Sequence, residues 1–119
     1  MTKWIIGNWK MFVGLRDSVA LARAIVLGLR GKIVVPSIVI CPPFPAIPDV
    51  HKLLARSHVQ IGAQDVSVEE DGAFTGGISA RLISEIGCTH VLIGHAERRR
   101  LAHESDEQIA EKLAEAAKA

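Results

Sequence analysis

Little in this sequence speaks for cross-links, membranes or polyanions. It holds only two cysteines, Cys41 and Cys88. One closes an apolar run and the other precedes one, and both read as reduced core residues rather than as a disulfide. No stretch is long and apolar enough to cross a membrane. The opening residues, Met1-Thr2-Lys3-Trp4-Ile5-Ile6, run directly into a strand pattern. They show neither the apolar region nor the small-residue cleavage site of a secretory signal, so the cytoplasm is the expected compartment. Fourteen basic residues against thirteen acidic leave a net charge of +1, which exerts no long-range pull on nucleic acid or an anionic membrane. There is no Walker lysine loop, and no dinucleotide-binding glycine fingerprint follows the first strand, so ATP or NAD finds no support. Cys88, His90, His95 and His103 match no standard zinc spacing, so no metal is expected. The cluster Arg98-Arg99-Arg100 lacks the interleaved aromatics of a nucleic-acid site.

What is present is a patterned, core-forming chain. Of its 119 residues 49% are hydrophobic and 23% charged, so it can bury a sizeable core. Trp4-Ile5-Ile6-Gly7-Asn8 reads as a first strand. Arg16 to Leu29 follows with Val19, Ala22, Ile25, Val26 and Leu29 at helical spacing, and Gly28 and Gly31 mark its end. Ser37-Ile38-Val39-Ile40-Cys41 is a second strand, stopped by Pro42 and Pro43, which cannot donate to a ladder. Ile47, Val50, Leu53 and Leu54 mark a short helix, with Pro48 in its first turn. A third strand spans 59–64, and a glycine-rich acidic loop runs from Asp65 to Gly77. Ser79 caps a helix carrying Leu82, Ile83 and Ile86, and Gly87 closes it. His90 to Gly94 reads as strand four. Ser105 and Gln108 have capping-box spacing, opening a last helix whose apolar face is Ile109, Leu113 and Ala116 or Ala117.

Apolar strands alternating with amphipathic helices predict a parallel α/β sheet covered on both faces. Periodicity does not separate an open doubly wound sheet from a closed barrel. A complete eightfold barrel takes about 250 residues, roughly twice this length. In either case ligands bind where the strands end, and those ends are polar here: Asn8-Trp9-Lys10, Gln64-Asp65 and His95-Ala96-Glu97-Arg98. Lys10 reads as a cation for an anionic substrate and its developing oxyanion, or as a surface lysine. Asn8 orients that lysine or simply holds the turn. His95, placed where a helical turn can begin, would be disfavoured as a cation and could donate a hydrogen bond to a carbonyl; the alternative is a satisfied core histidine. Glu97 reads as the partner of Lys10 in preference to a free base, which needs its own place against the substrate carbon.

The ordered set Gly7-Asn8-Trp9-Lys10-Met11, Cys41-Pro42-Pro43-Phe44, Gly62-Ala63-Gln64, Gly72-Ala73-Phe74-Thr75-Gly76 and Ile93-Gly94-His95-Ala96-Glu97-Arg98-Arg99 closely resembles the amino-terminal half of the triosephosphate isomerase family. The resemblance implies a (βα)8 TIM barrel. Residues 1–119 would be the first half of that single domain, with strands 1–4, three helices and a fourth helix at the C-terminus. It implies interconversion of dihydroxyacetone phosphate and glyceraldehyde 3-phosphate through an enediolate, in glycolysis and gluconeogenesis. It calls for no cofactor, a small phosphorylated triose as substrate and a homodimer. Asn8 and Lys10 would bind substrate, Lys10 would stabilise the enediolate charge, and Glu97 would support Lys10. His95 would be the neutral electrophile, a role for which this family is itself a standard illustration. Phe74 and Thr75 would lie at the dimer interface and brace the partner's site.

The pattern is not kept everywhere. Phe12 and Asp65 each stand where the family commonly has asparagine, Ala96 where it has serine and Gly77 where it has glutamate. The last change is expected to cost Arg98 an interface partner. The family's catalytic base, a glutamate at the end of strand 6 under a mobile lid, is not among these residues. The expected product is therefore either the first half of a longer isomerase or an inactive remnant or half-barrel interaction protein. A different sugar-phosphate enzyme would use Lys10 as a Schiff base.

Overall fold

The computed structural model describes residues 3–33 and 36–119. Met1 and Thr2, read as the lead-in to the first strand, lie outside the described residues. Four strands, β1 (Trp4–Asn8), β2 (Ser37–Cys41), β3 (Val59–Ala63) and β4 (His90–Val91), form one parallel sheet in the order β1-β2-β3-β4. The helices are α1 (Leu15–Leu29), α2 (Ile47–Leu54), α3 (Ala80–Glu85), α4 (Ala96–Leu101) and α5 (Asp106–Lys118), and a single 3-10 turn, Phe44–Ala46, leads into α2.

That strand order resolves the ambiguity of the sequence. In a doubly wound sheet the order reverses and helices fall on both faces. Here each strand neighbours the next without reversal, and crossovers of one hand then place the helices on one side. The core confirms this. Ile38 and Ile40 of β2 and Val59, Ile61 and Ala63 of β3 are buried with Ala22, Ile47, Val50, Leu54 and Ile83 from the helices. The alternate residues belong to the opposite face, where the rings of Trp4 and His90 meet edge-on at 5.6 Å. The expected helical cover on both faces is therefore corrected: helices cover one face, and the other corresponds to the inside of a barrel.

Several local expectations match. Pro42 and Pro43 end β2. The Ser79 hydroxyl accepts from the Leu82 N–H at 3.3 Å. The Ser105 capping box is complete, with the Gln108 N–H donating to Ser105 at 3.2 Å and the Ser105 N–H to the Gln108 side chain at 3.0 Å. Both cysteines are free and buried.

Three details differ. The third strand ends at Ala63, so Gln64 stands just beyond it. Strand four is two residues long rather than five, because its partner β3 ends at Ala63, which pairs with Val91. Helix α4 then occupies Ala96–Leu101, where the sequence suggested only a starting turn, so there are five α-helices among the described residues rather than four. The inner face of α5 also differs. Lys112 is buried at 5% exposure, while Leu113, read as part of the apolar face, is 56% exposed.

Candidate active site

The ends of β1 and β3 and the start of α4 enclose a cleft of about 500 Å³ that Asn8, Lys10, Gln64, His95 and Glu97 all line. The structure thus brings together the four residues singled out at the strand ends and adds Gln64. Phe74 and Thr75 do not line this cleft. They are exposed in the loop between β3 and α3, which is pinched at its base by the Ser67 N–H donating to the Ile78 carbonyl at 2.8 Å.

Lys10 sits in the left-handed region, with φ +52°, a conformation that costs a non-glycine residue about 1–2 kcal/mol. Its surroundings compensate. Its own N–H donates to Asn8 Oδ1 at 2.9 Å, and its carbonyl accepts from Gln64 Nε2 at 2.8 Å. Gln64 Nε2 also donates to the Cys41 carbonyl at 2.9 Å, tying the turn to the end of β2. So Asn8 and Gln64 together hold the backbone that aims the ammonium.

The ammonium reaches across the rim to Glu97, with Nζ 2.5 Å from Oε1. The hydrogen bond from Lys10, helped by its charge, lowers the Glu97 carboxyl from its ordinary value against the opposing effect of burial. An anion so held is a poor proton acceptor, which fits a partner of Lys10 better than a free base.

His95 caps α4. Its Nδ1 accepts the Glu97 backbone N–H at 3.1 Å. A ring nitrogen that accepts carries no proton, so this contact selects the neutral tautomer with its hydrogen on Nε2. That leaves Nε2–H as the donor. Gly94 makes the turn possible: a side chain there would strain its positive φ and come within 3.2 Å of Ile109 on α5.

Sequence reasoning missed a second polar cluster behind α4. Arg98 Nη2 lies 3.2 Å from Asp65 Oδ2 and 3.0 Å from Glu104 Oε1, and Lys112 Nζ lies 2.6 Å from Asp65 Oδ1 and bonds Glu104 as well. Arg98, expected to have lost a partner, finds two carboxylates within its own chain. Glu104 is 9% exposed, and its Oε2 has no hydrogen-bond partner. A lysine at i+3 from Ile109 on the face that continues to Ala116 was the available signal, since that spacing turns Lys112 inward.

The family model described as triosephosphate isomerase matches residues 3–119. The chain belongs to the triosephosphate isomerase family. It is 44% identical over 110 residues to the triosephosphate isomerase of Cupriavidus necator, covering 92% of this chain and 43% of that protein. It is 44% identical over 115 residues to that of Alcanivorax borkumensis, covering 97% and 44%. The crystal structure of triosephosphate isomerase from Bartonella henselae superposes with a TM-score of 0.91 at 33% identity, over 99% of this chain and 48% of that one. The fold is thus a partial TIM barrel, and the chain spans under half the length of the curated isomerases it matches. Among the described residues no helix is long and apolar enough to cross a membrane.

Proposed function

We propose that these residues form the amino-terminal half of a single isomerase barrel and carry the polarising half of a triose phosphate isomerase site. Asn8 and Lys10 bind the phosphorylated triose. The His95 Nε2–H donates to its carbonyl oxygen, and the Lys10 ammonium stabilises the negative charge that gathers on oxygen in the enediolate. Glu97 keeps Lys10 in place. Glu97, committed as an anion to Lys10, does not remove the carbon-bound proton, and the family's base, a glutamate at the end of strand 6, is not among these residues. The 119-residue chain by itself is therefore catalytically incomplete. The observation that carries this reading is the Glu97 N–H donating to His95 Nδ1, which leaves Nε2–H as the ring's donor in the same cleft as the ammonium. The exposure of Phe74 and Thr75 supports a homodimer of the complete barrel, with this loop at the interface.

The test is complementation. The chain is produced in a host without its own isomerase and assayed alone, then mixed with the carboxy-terminal half of the Cupriavidus necator enzyme. Turnover is expected only in the mixture. Lys10→Met or His95→Gln should then lower it at least about a hundredfold, the usual effect of removing one charge-stabilising donor. Turnover by the chain alone would refute its incompleteness, and indifference to both substitutions would refute the assigned roles.

A further inference from the structure

We infer that Gln64 and Asp65, consecutive residues just past β3, are positioning residues that set the spacing between Lys10 and the His95–Glu97 turn. The inference deepens the reading above and rests on it for its chemical meaning. Neither residue needs to touch a substrate.

The two side chains hold different parts of the rim. Gln64 Nε2 binds the carbonyls of Lys10 and Cys41 at 2.8 and 2.9 Å. It therefore pins the strained turn of Lys10 to the sheet. Asp65, which lines the same cleft, binds the α4 side of the rim. Its Oδ2 lies 3.2 Å from Arg98, and its Oδ1 lies 2.6 Å from Lys112. Arg98 directly follows Glu97 in α4, and its own N–H donates to the His95 carbonyl at 2.9 Å. Fixing Arg98 thus fixes the turn that presents both His95 and Glu97.

Lys112 completes the brace. Buried in α5, it joins Asp65 to Glu104, which also holds Arg98. The four side chains carry two positive and two negative charges, so the cluster is neutral without a charge from outside the chain. The 2.5 Å contact between Lys10 and Glu97 closes a loop whose other side is the backbone step from Gln64 to Asp65. Loosening either residue releases one end of that contact.

The experiment reads the contact rather than the reaction. In the full 119-residue chain, the Glu97 side-chain carboxyl is followed by carbon NMR through an acid titration. The groups bearing on it are Lys10, His95 and Arg100. Lys10→Met defines the midpoint when the contact is lost. Gln64→Ala and Asp65→Asn should each raise the Glu97 midpoint toward that value. Ile83→Val, which trims the buried core away from the rim, should leave it in place. A midpoint unmoved in folded Gln64→Ala and Asp65→Asn, where Lys10→Met moves it, would overturn the inference and leave both residues merely structural.

A measurement on the unaltered chain covers the case in which the variants do not fold. The Lys10 and Glu97 backbone amides, bound to Asn8 Oδ1 and His95 Nδ1, should exchange with solvent through one shared opening. Protection factors that differ by more than about tenfold would mean that the two ends open independently, which also overturns the inference. Failure of complementation would leave these results standing, so the two readings fail separately.

Discussion

Lys112→Met tests whether the buried ion cluster stabilises the fold. The substitution keeps the length and apolar stem of the side chain and removes only the ammonium, so lost packing contributes little. Asp65 and Glu104 would then share Arg98 alone, and Glu104 already has one oxygen without a partner. Breaking a buried ion pair by removing one partner costs about 3–5 kcal/mol. The low end applies here, because Arg98 remains and its side chain is 44% exposed to solvent screening. A loss of about 3 kcal/mol corresponds to a urea midpoint lower by roughly 1–3 M at the usual slopes. Circular dichroism during urea unfolding reads it directly. The pH dependence adds a second requirement. Burial pushes the Glu104 carboxyl up, but hydrogen bonds from Lys112 and Arg98, with their charges, bring it below its ordinary value of 4.5. A carboxyl lowered in the folded state contributes stability above its unfolded value, and that stability is lost as pH falls through the folded one. The gap between the variant and the unaltered chain should therefore be full at neutral pH and shrink below about 4.5. A gap under about 0.5 kcal/mol, or one that persists unchanged into acid, would refute the reasoning.

Other outcomes follow from single sites. Gly62→Ala would bring a methyl group to 2.8 Å from Cys41 Sγ and 3.2 Å from the His90 carbonyl, so denaturant unfolding should show a loss of about 1–3 kcal/mol. Adding Cys41→Ala should recover part of it; no recovery would place the strain elsewhere. Ser79→Ala removes the hydroxyl that accepts from Leu82 and donates to Asp71 at 3.1 Å, which should lower stability by about 1 kcal/mol in the same assay. Burial raises the thiols of Cys41 and Cys88 to about 11 and about 12. At pH 8 only about a thousandth of Cys41 would be thiolate, so a chromogenic disulfide reagent should label neither cysteine until the chain is unfolded. Prompt labelling of the folded chain would contradict that burial.

The parts of the fold legible in the sequence were those with a local signal. The ranges of β1 and β2 and the caps at Ser79 and Ser105 could be read because each is specified by residues a few positions apart. Helix α4 was only half legible for the opposite reason. None of its six residues is buried, so it has no apolar period to detect. It is held by its His95 cap and by ion pairs of Arg98 and Arg99 with Asp65, Glu104 and Asp106. Lys112 and Asp65 stand 47 positions apart, and no local pattern announces such a pair. In the site, Lys10, His95 and Glu97 stood out as reactive groups at strand ends. Gln64 was named at a strand end but given no role, because an amide beyond a strand looks the same in sequence whether it binds backbone, as here at Lys10 and Cys41, or faces water.

These contacts separate assembly of the rim from completion of the reaction. The bonds that hold Lys10 in its strained conformation come from Asn8 and Gln64, and the one that sets the His95 tautomer comes from Glu97. The charges that steady α4 come from Asp65, Glu104 and Lys112. All of these contacts join residues between positions 8 and 112. Catalysis requires more than polarisation, because stabilising negative charge on oxygen does not move a proton from carbon without an acceptor. Absence of turnover therefore need not appear as disorder of the rim. The informative comparison is between the Glu97 titration and the complemented activity. A rim formed without turnover places the deficit in proton abstraction, and a rim that forms only in the complemented mixture makes the second half part of the positioning machinery as well.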